Sequence, residues 1–237
     1  METKINENLT PPCRNIILSG EITEEKCAEI TAQIIDINAY DEMIDNIAKE
    51  KMEKALKDLE LYGDNVMVAP KLNEIQPIYL YIDSGGGCAY SGIGLSSLIE
   101  NSIAPVITVV TGKAMSIALL IAMSGKYRMA YKNSSFMFHD VSFGIWSDST
   151  NIKRETNEAD RIAKVYMDYV CENSYIENNK LKNFIDRREN WYFSGIEAEE
   201  LGVVDELIDG DYEEDEAYGV CNCCGEDYGE CECECDE

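Results

Sequence analysis

The chain has 237 residues, 45% of them apolar and 28% charged, an ordinary globular balance that is long enough to bury a full core in one large domain. Its formal net charge of −26 argues against nucleic-acid binding through a phosphate-neutralising surface. No run of 18 apolar residues occurs, so no membrane span is expected, and the opening METKINENLTPPCRN lacks the basic start and apolar stretch of a secretory signal.

Taken in order, residues 1–13 read as a short lead segment and 14–208 as one α/β domain. Residues 14–22 read as a strand, and Thr23 as the N-cap of a helix over about 24–37 with an apolar stripe of Ala28, Ile30, Ile34 and Ile35. Residues 38–74 are charged, helical in pattern, and break at Gly63 and Pro70; a surface insertion such as a helical hairpin arm is expected there. Residues 78–82 form a nearly continuous apolar run, as in a buried parallel strand, and a glycine loop, Asp83-Ser-Gly-Gly-Gly87, follows. A helix over 89–101 leads to a second buried strand at 105–110. Gly112 is then expected to turn the chain into a helix of small and apolar residues, Ala114 to Met123. Short strands at 127–130 and 135–138 come next, the second ending at His139. An amphipathic helix over 150–178 carries Ile152, Ile162, Val165, Met167, Tyr169 and Val170. A helix at 180–189, a strand at 191–193, a helical turn at 197–201 with Gly202 as its C′ residue, and apolar pairs at 203–204 and 207–208 close the domain. The alternation of strand and helix gives an α/β fold with a largely parallel sheet.

The last stretch differs from the rest. Residues 1–188 hold all 20 Lys and Arg and 27 of the 46 acids; residues 189–237 hold 19 acids and no base. Six of the ten cysteines crowd between Cys221 and Cys235. With no signal peptide, a reducing cytoplasm is the expected setting. Residues 209–237 therefore read as an acidic, Cys-rich tail. Its Cys221-Asn-Cys-Cys224-Gly resembles a zinc knuckle, and Cys231 and Cys233 complete a candidate four-thiolate Zn²⁺ site. The competing reading is a solvated acidic tail with exposed thiols.

One histidine, His139, is present, so any Ser–His or Cys–His mechanism must use it. A hydroxyl needs a base within hydrogen-bond reach and a third group holding that base in one tautomer. Four segments resemble, in order, those of the Clp protease proteolytic subunit family. They are Ile78-Tyr-Leu-Tyr-Ile-Asp-Ser-Gly-Gly-Gly87, Gly112-Lys-Ala-Met-Ser-Ile117, Asn133-Ser-Ser-Phe-Met-Phe-His139 and Ser194-Gly-Ile-Glu-Ala-Glu-Glu-Leu-Gly-Val-Val-Asp205. The resemblance spans about 14–37 and 76–208. It implies a fold of the Clp protease/crotonase type with a long handle helix at 150–178. It also implies a serine endopeptidase: Ser116 is the nucleophile, His139 the general base, and the N–H groups of Gly87 and Ile117 the oxyanion hole. Gly86, Gly87, Asp140 and Val141 would hold the peptide substrate. The family further implies a homo-oligomeric chamber, a heptameric ring or a double ring, fed by an AAA+ unfoldase; neither nucleic acid nor membrane is an expected partner.

Departures from the family pattern qualify this expectation. The third triad position, an Asp in the family, aligns with Asn190, which can orient an imidazole but offers no negative charge. A Ser116-His139-Asn190 triad of reduced activity is expected, with Asp186 and Glu189 as nearby alternatives. Gly85 replaces a family proline, few residues precede Arg14 where the family has axial loops, and Glu189 replaces an arginine used between rings, although Arg187 and Arg188 lie close. A weak or inactive homologue serving as an assembly subunit is therefore the runner-up. A crotonase-fold acyl-CoA enzyme is a third reading, but it leaves the ordered Ser116 and His139 motifs unexplained.

Overall fold

The computed structural model describes residues 10–62, 75–142, 144 and 146–209. Those as far as Leu207 belong to one compact unit. Seven strands make one sheet: β1 Asn15–Ile22, β2 Ile78–Gly87, β3 Val106–Met115, β4 Tyr127–Tyr131, β5 Ser135–Phe138, β6 Trp191–Ser194 and β7 Glu206–Ile208. The helices are α1 Glu24–Tyr62, α2 Ala89–Glu100, α3 Ile117–Met123, α4 Ser149–Glu172, α5 Asn178–Arg187 and α6 Gly195–Glu200. The sheet order is β1-β2-β3-β4-β7, with β5 pairing the far end of β3 and β6 pairing β5. The β1–β2, β2–β3, β3–β4 and β3–β5 ladders are parallel and β5–β6 is antiparallel. Among the described residues, no helix is long and apolar enough to cross a membrane.

Parallel strands joined by helical crossovers bury apolar side chains under those helices. Ile16 and Leu18 of β1, Ile78, Leu80 and Ile82 of β2, and Val106 and Val110 of β3 are almost fully buried, β1 packing on α1 and β2 and β3 on the wholly buried α3. The expectation of a strand buried on both faces needs correction for β2. Burial alternates along β2, and on the opposite face Tyr79 and Tyr81 are half-buried while Ile17 is 71% exposed. The apolar run of β2 thus serves two environments.

Thr23 caps α1 as expected, its Oγ1 accepting from the Lys26 N–H at 3.2 Å. The helix does not end near 37: it continues unbroken to Tyr62, and no Gly or Pro falls within it to stop it. Cys27, Ile30, Ile34 and Ile37 form its buried face. Past them the anchoring becomes polar. Asn38 Oδ1 accepts from Ser102 Oγ at 3.1 Å and from the Ala104 N–H at 3.0 Å, and Asp41 pairs with Arg14. A hairpin turn at Gly63 and Pro70 would lie outside the described residues.

At the other end, α5 closes with paired bonds from Arg188 N–H to Ile185 O (2.9 Å) and from Glu189 N–H to Phe184 O (3.0 Å). Arg188 takes the left-handed position (φ 55) that glycine usually fills. The turn delivers the chain into β6, whose Trp191 and Phe193 stack on Phe184 and Phe136 with ring centroids 5.2 and 5.4 Å apart.

Arg128 and Asp205 tie the start of β4 to the chain entering β7. The carboxylate accepts from Arg128 Nη2 (2.5 Å), Nε (3.0 Å) and backbone N–H (2.8 Å), and the Asp205 N–H donates back to Arg128 O (2.7 Å). Partial burial raises the Asp205 carboxyl, but these donors more than offset it, leaving the group below the usual carboxylate range. A carboxyl so held adds stability above its unfolded value, about pH 4, and loses it as the pH falls through the lower folded value. Asp205→Asn is therefore expected to lower Tm by a constant amount between pH 8 and 5. The gap to wild type should close below pH 4, which thermal melts across that range would measure; a gap independent of pH down to 2 would remove the carboxylate from the account.

Candidate active site

β3 runs past Gly112 to Met115, so the expected turn at Gly112 is absent and the chain reverses at Ser116 instead. A Cβ at Gly112 would lie 2.8 Å from Asp83 Oδ1, so a larger residue there would displace that carboxylate. Ser116 adopts φ 54 and ψ −130, a conformation that costs an L-residue about 1–3 kcal/mol and persists only where its surroundings impose it. Here three bonds impose it. The Ser116 N–H donates to Met137 O (2.9 Å), and the Ser116 carbonyl accepts from the Leu119 N–H (2.9 Å) and from Tyr166 Oη (2.9 Å).

The glycine segment continues β2 in place of the expected loop. Its pairing with β1 shifts by a bulge between Ser19 and Glu21, then resumes at Gly86 and Gly87. Buried Ser84 holds the bulge: its Oγ donates to Gly20 O (2.6 Å) and accepts from the Gly86 N–H (3.1 Å). Gly86 (φ +97) lies directly behind the serine, where a Cβ would come within 2.8 Å of Met115 O and Ser116 Cβ. At Gly87 (φ +153) a Cβ would sit 2.2 Å from Ile22 O. Both glycines are dictated by these close approaches. Nothing lies within 4 Å of a Cβ at Gly85.

β5 supplies the histidine. It pairs with β3 in the register Met115↔Met137, so His139, the residue following Phe138, emerges on the Ser116 side. One cleft of about 210 Å³ is lined by Ser116, Ile117, Gly87, His139, Asp140 and Val141, with Ile162 and Tyr166 of α4 forming a wall. His139 is half-buried, Asp140 is exposed, and the Asp140 carboxylate accepts from the Val141 N–H at 2.8 Å. A larger groove of about 500 Å³ is lined by Ile99, Glu100, Ser102, Ser124 and Lys126 and contains no histidine.

Asn190 lies outside the lining of that cleft. Continuing the antiparallel register one step beyond Phe138↔Trp191 sets residue 190 opposite residue 139. Its side chain is exposed, with Nδ2 3.5 Å from Tyr192 Oη, the limit of a hydrogen bond. Asp186 and Glu189 are also exposed and outside the cleft. The sequence reading missed Tyr166. The buried face of α4 is Ile162, Tyr166 and Val170, and the i, i+4, i+8 spacing was the available signal.

The candidate zinc ligands Cys221, Cys224, Cys231 and Cys233 lie outside the described residues. Among the described residues, no group of three His, Cys, Asp or Glu side chains is arranged to hold a metal ion, and Cys13, Cys27, Cys88 and Cys171 are free thiols.

The Clp protease family model matches residues 46–211, more than two thirds of the chain, and takes in every residue of the cleft. The match begins inside α1, within the segment 38–74, and leaves out β1. An ATP-dependent Clp protease proteolytic subunit of Deinococcus radiodurans is 29% identical over 139 residues, 58% of this chain and 67% of that protein. One of Bacteroides thetaiotaomicron is 28% identical over 142 residues, 58% of this chain and 64% of its own length. An ATP-dependent Clp protease proteolytic subunit 2 of Treponema denticola is 28% identical over 163 residues, 68% of this chain and 77% of its own. The chain thus spans roughly two thirds of the length of the first two relatives.

Proposed function

Because the chain belongs to the Clp protease family, we propose that it is a serine-type endopeptidase in which Ser116 attacks the scissile carbonyl. His139 takes the hydroxyl proton and later passes it to the leaving amine. The N–H groups of Gly87 and Ile117 receive the developing oxyanion. The observation that carries this reading is the strained Ser116 in one cleft with the only histidine of the sequence. Strained backbone conformations cluster at functional sites, and the strain at Ser116 is held by three hydrogen bonds beside the cleft, which supports a functional serine over a packing residue.

In this reading the substrate is an extended peptide, held along Gly86, Gly87, Asp140 and Val141. The chain works as an oligomer, a heptameric ring or a pair of rings, served by an ATP-driven unfoldase. The names of the relatives support the ATP dependence. The incompletely covered sheet face with Ile17, Tyr79 and Tyr81 offers apolar surface for packing between copies. A second reading, a weakly active or inactive subunit, draws on one observation: the Asn190 side chain points to Tyr192 and has no bond to the imidazole among the described residues.

Intact-mass spectrometry after fluorophosphonate treatment tests the proposal. A single adduct on the assembled protein, lost in Ser116→Ala, is the expected result. A folded, assembled sample without an adduct would favour the second reading.

A further inference from the structure

We infer that Tyr166 is a positioning residue for the oxyanion hole: its hydroxyl fixes the Ser116–Ile117 peptide so that the Ile117 N–H faces the cleft. This rests on the reading of Ser116 as nucleophile. In a trans peptide the carbonyl and the following N–H point in opposite directions, and no cis peptide bond occurs among the described residues. Whatever grips the Ser116 oxygen therefore aims the Ile117 N–H. Two donors grip it, the Leu119 N–H within the same turn and Tyr166 Oη from α4, both at 2.9 Å. The first is local and turns with the segment; the second is an external anchor 50 residues away in sequence.

The anchor is itself rigid. Tyr166 is only 4% exposed, and its ring stacks on Phe138 with centroids 5.1 Å apart, beside His139. Burial raises its phenol pKa, so the hydroxyl remains a donor throughout the working range. Accepting this bond also polarises the peptide and strengthens its N–H as a donor. One side chain of the long helix thus contacts the nucleophile's carbonyl and the residue preceding the base.

The test is Tyr166→Phe, which removes one oxygen and keeps the ring. The second-order rate of fluorophosphonate addition to Ser116 is expected to fall about 10- to 100-fold. Native mass and the midpoint of the rate–pH profile should stay unchanged, because the base is untouched, while loss of the buried hydrogen bond lowers Tm by about 2–4 °C. A rate within twofold of wild type would overturn the inference while leaving Ser116 as nucleophile. A shifted pH midpoint would also overturn it, placing the hydroxyl's effect on His139 instead. Wild-type protein that takes no label at Ser116 would sink the parent reading and this inference together. Should Tyr166→Phe not assemble, 3-fluorotyrosine at position 166 keeps the shape with a stronger donor. It is expected to react at least as fast as wild type, and a slower rate would count against the inference.

Discussion

His139→Gln is expected to slow acylation of Ser116 by about 10³- to 10⁴-fold, with Tm nearly unchanged. A serine hydroxyl at neutral pH is almost wholly protonated, so its attack depends on a base that removes the proton as the bond forms. The sequence holds one histidine, and it lines the same cleft as Ser116. The connection between them is short and stiff. The Ser116 N–H donates to Met137 O, two residues before His139, and Phe136, Met137 and Phe138 are buried around that link. Glutamine keeps hydrogen-bonding capacity but cannot take a proton. The position is half-buried and lies beyond the strand, so stability should change little. Stopped-flow labelling with a fluorophosphonate reporter would measure the rate. A variant reacting within threefold of wild type would mean that the base is another group.

Much of this site was legible in the sequence because each part is dictated locally. Three glycines in a row after a nearly continuous apolar run announce close backbone approach, and Gly86 and Gly87 meet Ser116 and Ile22 at distances no Cβ could tolerate. Parts fixed by tertiary contact were less legible. Ala114 and Met115 have good helix propensity, yet they continue β3 because pairing with β5 and β2 supplies their hydrogen bonds; tertiary pairing overrides propensity there. The turn therefore falls on Ser116 rather than Gly112, and nothing in a serine's chemistry announces a positive φ.

The long reach of α1 was hidden for a different reason. Its apolar stripe fades after Ile37, which in a sequence looks like an end. In the fold the helix merely leaves the core, while Asn38 and Asp41 replace apolar packing with hydrogen bonds and an ion pair. Tyr166 escaped notice because a tyrosine at helical spacing reads as core. It is core, and its hydroxyl has a partner that only the folded chain brings near.

Asn190→Asp is expected to raise the rate of peptide hydrolysis by about one to two orders of magnitude. The β5–β6 register sets position 190 opposite His139, and the stacked Phe184, Trp191 and Phe193 fix β6 in that register. On the proposed reading, position 190 is where a third triad member would stand, and its side chain there is a neutral amide. A carboxylate at 190 would stabilise the imidazolium formed during attack, which a neutral amide cannot do. The contact it must leave is weak, 3.5 Å to Tyr192 Oη. Pairing the variant with Tyr192→Phe removes the competing hydroxyl and should raise the rate further. Asn190→Ala is the opposing probe: if the amide orients His139 during turnover, its loss should lower kcat about tenfold with KM unchanged. Steady-state kinetics on a fluorogenic peptide would measure all three. A rise with Asp and a fall with Ala would make residue 190 a member of the triad. Equal rates for Asn, Asp and Ala would exclude it and favour the weakly active subunit, because no carboxylate or amide among the described residues of the cleft other than exposed Asp140 could then hold the imidazole.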